Sequence, residues 1–386
     1  MLIVVILMKK VLIIQRYLPH FRVEFFKRLK EECANKNIAL SLVYGRLKGA
    51  EAMKIKEENL EAGIYAPVKE INFFNQKLFW HRCLQNLKGQ DMIIVQQTNR
   101  ELINYLLLLR RIFSKTKFAY IGHGRNMQVK TGSWRNRVKN FLIKKCDWWF
   151  AYNDNVKDYL TTQGYPPERI TSFMNAIDTK SLILTYEDIG NAQVLTIKKE
   201  LHIDSDNIGI FCGGLYKEKR INFLIEACIQ IKSRIKDFHL IVLGSGVEEP
   251  KVRDYCEKFD WIHYPGPVHD DQRKAAYFKA SKVFLLPGLV GLAILDSFAF
   301  QTPLITTDYP FHSPEIDYLK NEGNGIITKN NISEYVDSVV ELLQNDTKMA
   351  KLIEGCRHSA GIYNLEGMVE NFTTGIVKAL SGQNKI

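Results

Sequence analysis

The sequence predicts an α/β protein of two doubly wound, Rossmann-like domains. Three observations carry this expectation. The chain has 386 residues, enough for two domains at ~150 residues each. Short apolar, β-branched runs alternate with stretches of helical periodicity, as parallel βαβ units require. Four strand ends in the second half carry glycine, at 213–214, 244–246, 266 and 288–291. In open parallel sheets, ligands bind outside the carboxyl ends of the strands.

The elements follow in order. In the first half, strands are expected at 11–15, 38–44, 92–96, 118–121, 148–152 and 170–173. Helices are expected at 23–34 and 101–113. In the second half, strands are expected at 208–212, 239–243, 261–264, 283–286 and 304–307. The intervening segments 221–231, 252–259, 272–280 and 292–300 read as helices, and the chain beyond Ile332 is largely helical. Strand signals lapse over 175–207, which marks the join. The expected domains are 1–180 and 181–365, with a C-terminal helix at 366–386 that can pack back on the first domain.

Composition excludes several classes. With 46% hydrophobic and 25% charged residues, the chain is neither disordered nor fibrous. The longest aliphatic run, Met1 to Met8, falls short of the about 20 residues needed to cross a bilayer. Lys9 and Lys10 follow it without a small-residue cleavage site, so no signal peptide is expected; Met8 is an alternative start. Seven scattered cysteines with no C-x-x-C pair argue against a disulfide framework or a zinc site and favour a reducing cytosol.

Charge is lopsided. Residues 1–180 hold 31 Lys and Arg against 15 Asp and Glu, whereas residues 181–386 hold 22 against 27. A basic half attracts polyanions such as nucleic acid, anionic lipid or phosphorylated substrates. Basic residues concentrate between Arg125 and Lys145, interleaved with Trp134, Val138, Phe141, Leu142, Cys146 and Trp149 at helical spacing. Such a helix can lie on a membrane surface or pack on a core. No zinc-finger, RNP-like or helix-turn-helix signature accompanies the charge, so nucleic acid is not an expected partner.

The second-half motifs narrow the chemistry. No G-x-x-x-x-G-K-[ST] is present, and the Gly244-Ser245-Gly246 turn lacks the third glycine of a dinucleotide fingerprint. The segment Phe211-Cys212-Gly213-Gly214-Leu215, continuing to Lys219 and Phe223-Leu224-Ile225-Glu226-Ala227, resembles a donor-site element of GT-B glycosyltransferases. Leu243-Gly244-Ser245-Gly246, Gly266-Pro267-Val268 and the run Pro287–Ala299 followed by Thr302-Pro303 are similar to further elements of that family. His123-Gly124 and Asn175-Ala176-Ile177-Asp178 resemble elements of its first domain. The resemblance is close to the retaining family-four type that builds bacterial surface polysaccharide and lipopolysaccharide. The resemblance spans nearly the whole chain.

It implies a GT-B fold, two Rossmann-like domains facing a central cleft, and transfer of a sugar from a nucleotide sugar to a glycan or lipid-linked acceptor. Gly213, Gly214, Lys219, Arg220, Gly244, Gly266, Val268, Gly288, Gly291, Leu292 and Asp296 become donor-binding candidates. The resemblance also implies catalytic roles for His123 and Asp296, with Asp296 accepting from the ribose hydroxyls. From the residues alone, the competing readings are that Asp296 is an acid complementing a helix start and that His123 is a loop histidine at a strand end. Arg16, Tyr17, His20 and Arg22, leaving the first strand, can hold an acceptor diphosphate or pack among their own aromatics. Departures are visible. The first acid of the family's pair falls on Gly288, its phosphate-binding arginine falls on Gly214, and Arg220 replaces a glycine.

No cofactor or metal is expected. Asp204-Ser205-Asp206 precedes a strand and reads as a polar turn. The expected setting is cytoplasmic, peripheral at the inner face of an anionic membrane. Alternatives are a basic nucleic-acid-binding protein, a GT-B-like protein without catalysis, and a sugar-nucleotide epimerase of the same fold.

Overall fold

The computed structural model describes residues 8–47, 59–61, 63–73, 76–124 and 143–382. The chain divides into two compact units. Unit 1 comprises residues 1–175 and 365–386, and unit 2 comprises residues 176–364.

Unit 1 is built on β1 (Lys9–Gln15), β2 (Ile38–Tyr44), β3 (Ile64–Tyr65), β6 (Met92–Gln96), β7 (Lys117–Gly122), β8 (Trp148–Ala151) and β9 (Ile170–Ser172). Among the described residues these form one sheet in the order β3-β2-β1-β6-β7-β8-β9, with every pairing parallel. Parallel strands covered on both faces are continuously apolar. Val11 to Ile14 and Met92 to Val95 are accordingly buried. Helices α1 (Val23–Asn35), α2 (Leu102–Arg110) and α3 (Asp154–Thr162) join the strands. The Asn153 side chain starts α3 by accepting from Val156 N at 3.0 Å.

An antiparallel hairpin of β4 (Val68–Phe73) and β5 (Gln76–His81) was not anticipated. It is pinned by a buried pair, His81 Nε2 to Glu101 Oε2 at 2.7 Å. The basic segment 125–142 lies outside the described residues. Two members of its expected apolar stripe do not belong to a helix face: Cys146 is buried in the core, and Trp149 is a buried residue of β8 whose Nε1 donates to Ile143 O. Pairing of Trp149 with Tyr120 of β7 and Ile170 of β9 overrides the helical spacing there.

Unit 2 carries β10 (Ile208–Cys212), β11 (His239–Leu243), β12 (Ile262–Gly266), β13 (Val283–Leu285), β14 (Leu304–Thr307) and β15 (Gly325–Thr328). They pair in parallel in the order β12-β11-β10-β13-β14-β15. The order reverses direction between β10 and β13, which is the topological switch point of a doubly wound sheet.

The join expected from 175 to 207 contains two helices instead, α4 (Thr179–Asp188) and α5 (Asn191–Glu200). Helices α6 (Ile221–Arg234), α7 (Glu249–Lys258), α8 (Asp271–Lys279), α9 (Ala293–Ala299), α10 (Ile332–Gln344) and α11 (Asp346–Ile362) complete the unit. α4 packs on α8 and α9, which places it in unit 2.

The last helix, α12 (Leu365–Ser381), returns to unit 1. Phe372 stacks on Phe150 at 4.2 Å and meets Phe25 and Phe173 edge-on at 5.5 and 5.4 Å. Gly375 permits this approach, since a Cβ there would lie 2.5 Å from Thr171 Oγ1.

Candidate functional site

At the switch point of unit 2, the turn leaving β10 meets the loop leaving β13. The first turn runs through Gly213 and Gly214 to a short 3-10 segment, Lys217–Lys219. Gly213 adopts φ +152°, and a Cβ on it would lie 3.7 Å from Lys219 Nζ. The Lys219 side chain is therefore folded in beneath the strand end. It is 4% exposed, and Nζ donates to Leu289 O at 2.7 Å. Burial lowers its pKa to about 8. Among the described residues no carboxylate pairs with it. Nζ also lies 5.7 Å from the centre of the Tyr216 ring.

The second loop is held at nearly every peptide. Leu289 N donates to Glu218 O at 2.9 Å. Pro287 O accepts from Thr307 Oγ1 at 2.8 Å and from Arg220 at 3.1 Å. Val290 N donates to His312 Nδ1 at 3.0 Å, and Val290 O accepts from Ser313 N at 2.9 Å. The loop leads into α9, where Ile294 N and Leu295 N donate to Gly291 O at 3.2 Å and Leu292 O at 2.9 Å, and whose dipole favours an anion at this end.

The departures at 214, 220 and 288 have local causes. A Cβ at Gly288 would lie 2.3 Å from Glu218 O and 2.6 Å from Lys219 C, so the 217–219 backbone occupies the space of any side chain there. A Cβ at Gly214 would meet the Tyr216 ring at 2.8 Å, so an aromatic face covers the place where the resemblance puts an arginine. Arg220 stands at φ +60° and opens α6. Its guanidinium donates to Pro287 O and, at 3.2 Å, to Thr307 Oγ1, and lies over Phe223 at 4.1 Å. It braces the ends of β13 and β14, beside Lys219.

Asp296 lies on α9 with Oδ1 3.2 Å from Lys274 Nζ of α8. Lys274 also reaches Asp271 at 3.2 Å. Burial opposes its charge, but the two carboxylates dominate and raise its pKa. The Asp296 Oδ2 atom has no partner among the described residues. Next to them the buried Cys212 thiol is pushed up to about 12 by burial and by Asp296. Gly244 serves the fold directly: at φ +145°, a Cβ would lie 1.9 Å from Gly213 O. Gly266, at φ +89°, faces open space, and Val268 beyond it is half-buried. Gly291 and Leu292 are half-buried at the start of α9.

In unit 1, Arg16 lies over Phe79 at 4.3 Å and over Tyr17 at 5.6 Å. His20 is exposed, edge-on to Phe21 at 5.5 Å. Arg22 is committed to the frame of the unit, donating to Asn175 Oδ1 and, at 3.4 Å, to Met368 Sδ of α12. His123 follows β7, its ring 4.3 Å from that of Tyr152. Asp206 of the Asp204-Ser205-Asp206 turn is ion-paired to Lys198, which lowers its pKa. Ser205 Oγ donates to Asp237 at 2.9 Å. No group of three or more His, Cys, Asp or Glu placed to hold a metal occurs among the described residues.

Sequence reasoning missed Thr307, His312 and Lys274. Each lies on a different βα unit from the residue it supports, so no spacing in the sequence signals it.

Two units, each built on a parallel doubly wound sheet, are the architecture of the GT-B fold. Residues 206–345 match the family described as glycosyl transferases group 1. A protein of Haemophilus influenzae described as an uncharacterized glycosyltransferase is 22% identical over 256 residues, spanning 64% of this chain and 69% of that one. The alpha-monoglucosyldiacylglycerol synthase of Acholeplasma laidlawii is 24% identical over 256 residues, 64% of this chain and 62% of its own. The crystal structure of Anabaena Alr3699/HepE in complex with UDP superposes with a TM-score of 0.70 at 11% identity, over 96% of this chain and 100% of that chain. The chain has the GT-B fold, and its second unit carries a segment similar to glycosyl transferases group 1.

Proposed function

We propose that the protein moves a sugar from a nucleoside-diphosphate donor to a glycan or lipid-linked acceptor, without a metal ion and with retention of anomeric configuration. The observation that carries this reading is Lys219, a buried ammonium that donates to one carbonyl and has no carboxylate partner among the described residues.

Breaking the bond between the anomeric carbon and the diphosphate builds negative charge on the leaving oxygens. Preorganised donors facing that charge lower the barrier. Lys219 supplies charge-assisted hydrogen bonds of about 1.5–3 kcal/mol each, and the first turn of α9 about 0.3–1 kcal/mol. An arriving diphosphate also relieves the unpaired burial of Lys219 and raises its pKa again. Asp296, with Oδ2 open, accepts from the ribose hydroxyls while Lys274 fixes its rotamer. His123, braced by Tyr152, contacts the sugar. Retention and the His123 role rest on the resemblance.

Unit 1 takes the acceptor, with Arg16, Tyr17, His20 and Arg22, which follow β1, as the candidates. A membrane-borne acceptor is favoured by the basic first half and by an exposed apolar knuckle after α2. Leu109, Ile112 and Phe113 are 63, 71 and 89% exposed at helical spacing, beside Arg110, Arg111 and Lys115. No helix among the described residues is long and apolar enough to cross a membrane. The proposed setting is the cytoplasmic face of an anionic membrane.

A thermal-shift screen against nucleotide sugars tests the donor reading. One donor should stabilise the protein selectively, with the shift lost in K219A and retained in EDTA. No shift with any nucleotide sugar overturns it.

A further inference from the structure

We propose that His312, as a neutral imidazole, is the positioning residue that holds the 287–291 loop in its anion-binding form. Proton uptake at its Nδ1 then releases the loop and weakens donor binding on the acid side. This rests on the donor reading above.

The geometry defines the tautomer. Nδ1 accepts from Val290 N at 3.0 Å, so it carries no proton. Nε2 lies 2.8 Å from Thr307 O, which can only accept, so Nε2 carries the hydrogen. The ring thereby links the end of β14 to the loop after β13. It is 7% exposed, so water does not readily replace either partner.

The neighbouring bonds make the clamp consequential. Val290 adjoins Leu289, whose carbonyl orients Lys219 Nζ. It also precedes Gly291 and Leu292, which open α9. Loss of the Val290 bond frees the peptide between the lysine's anchor and the helix start. Protonated Nδ1 would oppose one N–H to another.

The groups facing the ring favour the neutral form. Burial acts first. The bond to Thr307 O favours the charged ring, Lys219 and Arg220 across the turn oppose a positive charge, and Asp308 on its own segment favours it; with burial the largest effect, the pKa is lowered from 6.5. The Tyr309 ring stands edge-on at 5.9 Å. The clamp is therefore intact at neutral pH and opens as pH falls below the ordinary histidine range.

H312N and H312L test this. Asn Oδ1 can replace Nδ1 as the acceptor for Val290 N but does not titrate; Leu fills the space and accepts nothing. UDP and GDP affinities are measured by calorimetry between pH 5 and 8, each variant against wild type at the same pH so that the ligand's own titration cancels. At pH 7.5, H312L should bind at least tenfold more weakly and H312N within about threefold of wild type. Between pH 7 and 5, wild type should lose at least fivefold more affinity than H312N. H312L within twofold of wild type, or an acid limb undiminished in H312N, overturns the proposal. Amide hydrogen exchange of residues 286–292, measured without ligand at pH 7.5, separates the clamp from the donor reading. Exchange should quicken in H312L, and unchanged exchange overturns the clamp. If exchange quickens but neither UDP nor GDP binds wild type, the loop clamp stands, while the donor reading and the acid effect on binding both fall.

Discussion

The Lys219 ammonium donates to Leu289 O across the switch point of unit 2, joining the turn after β10 to the loop after β13 at 2.7 Å. A charge buried without a carboxylate is an expense in the free protein that a bound diphosphate reverses. Stability and donor affinity should therefore pull in opposite directions at this residue.

Lys219 has a folded pKa of about 8 against 10.5 for the ordinary side chain. The unfolded chain holds the extra proton between those values, so this group's penalty is full below pH 8 and fades as pH rises to 10.5. K219M should raise the unfolding free energy at pH 7 by about 1–3 kcal/mol, measured in urea, while abolishing the donor thermal shift. Wild-type donor affinity should decline as pH rises past 8.

Gly288 cannot be restored to the acid that the resemblance expects. A Cβ 2.3 Å from Glu218 O forces the two loops apart. G288A should cost about 1–3 kcal/mol, and G288E should weaken rather than improve donor binding. Urea melts and calorimetry would check both; tighter donor binding by G288E would contradict the packing argument.

At Arg220 two effects compete. A left-handed backbone costs a non-glycine residue about 1–2 kcal/mol, which R220G relieves. The same change removes the bonds to Pro287 O and Thr307 Oγ1, about 1.5–3 kcal/mol each for a charged donor, together with the contact on Phe223. R220G should thus be net destabilising, with a lower midpoint in thermal melts.

D296N should act twice. The proposed ribose contact should weaken and donor KM rise, while half-buried Lys274 keeps Asp271 as its carboxylate. Breaking such a pair costs about 3–5 kcal/mol, and the remaining carboxylate places this case at the lower end. Lys274's pKa is raised in the fold, so the pair's contribution is full below 10.5 and is lost as pH rises through the raised value. Alkaline melting should therefore separate wild type from D296N less than melting at pH 7 does.

The exposed knuckle predicts membrane behaviour. Wild type should float with vesicles containing phosphatidylglycerol at low salt and not with pure phosphatidylcholine. I112S/F113S should lose most of that binding without a change in melting temperature. Equal flotation of the variant would remove this surface from the membrane reading.

The strands and the central helices were legible because a doubly covered parallel sheet imposes long apolar runs, as at Val11–Ile14 and Leu240–Leu243. The β10, β11 and β14 limits match the expected ones residue for residue. The β4–β5 hairpin was not legible, because its outer positions are exposed and its anchor, His81 to Glu101, spans 20 residues. The sequence over α4 and α5 reads as a join, because only part of each helix packs, α4 on α8 and α9 and α5 on α8, and most of the rest is polar. Lys219, Arg220 and Asp296 could be singled out by motif. Thr307, His312 and Lys274 could not, because their roles arise only where separate strand ends and helices converge.

What the amino-acid order decides here is local: which runs can be buried, where glycine permits a turn, and which half carries positive charge. Tertiary structure decides the rest. Only folding brings the backbone at 218–219 against Gly288, which excludes an acid there, and only folding folds Lys219 in beneath a strand end, which lowers its pKa. Both follow from close packing at converging strand termini, where a few ångströms set which side chains fit and how much water reaches their charges.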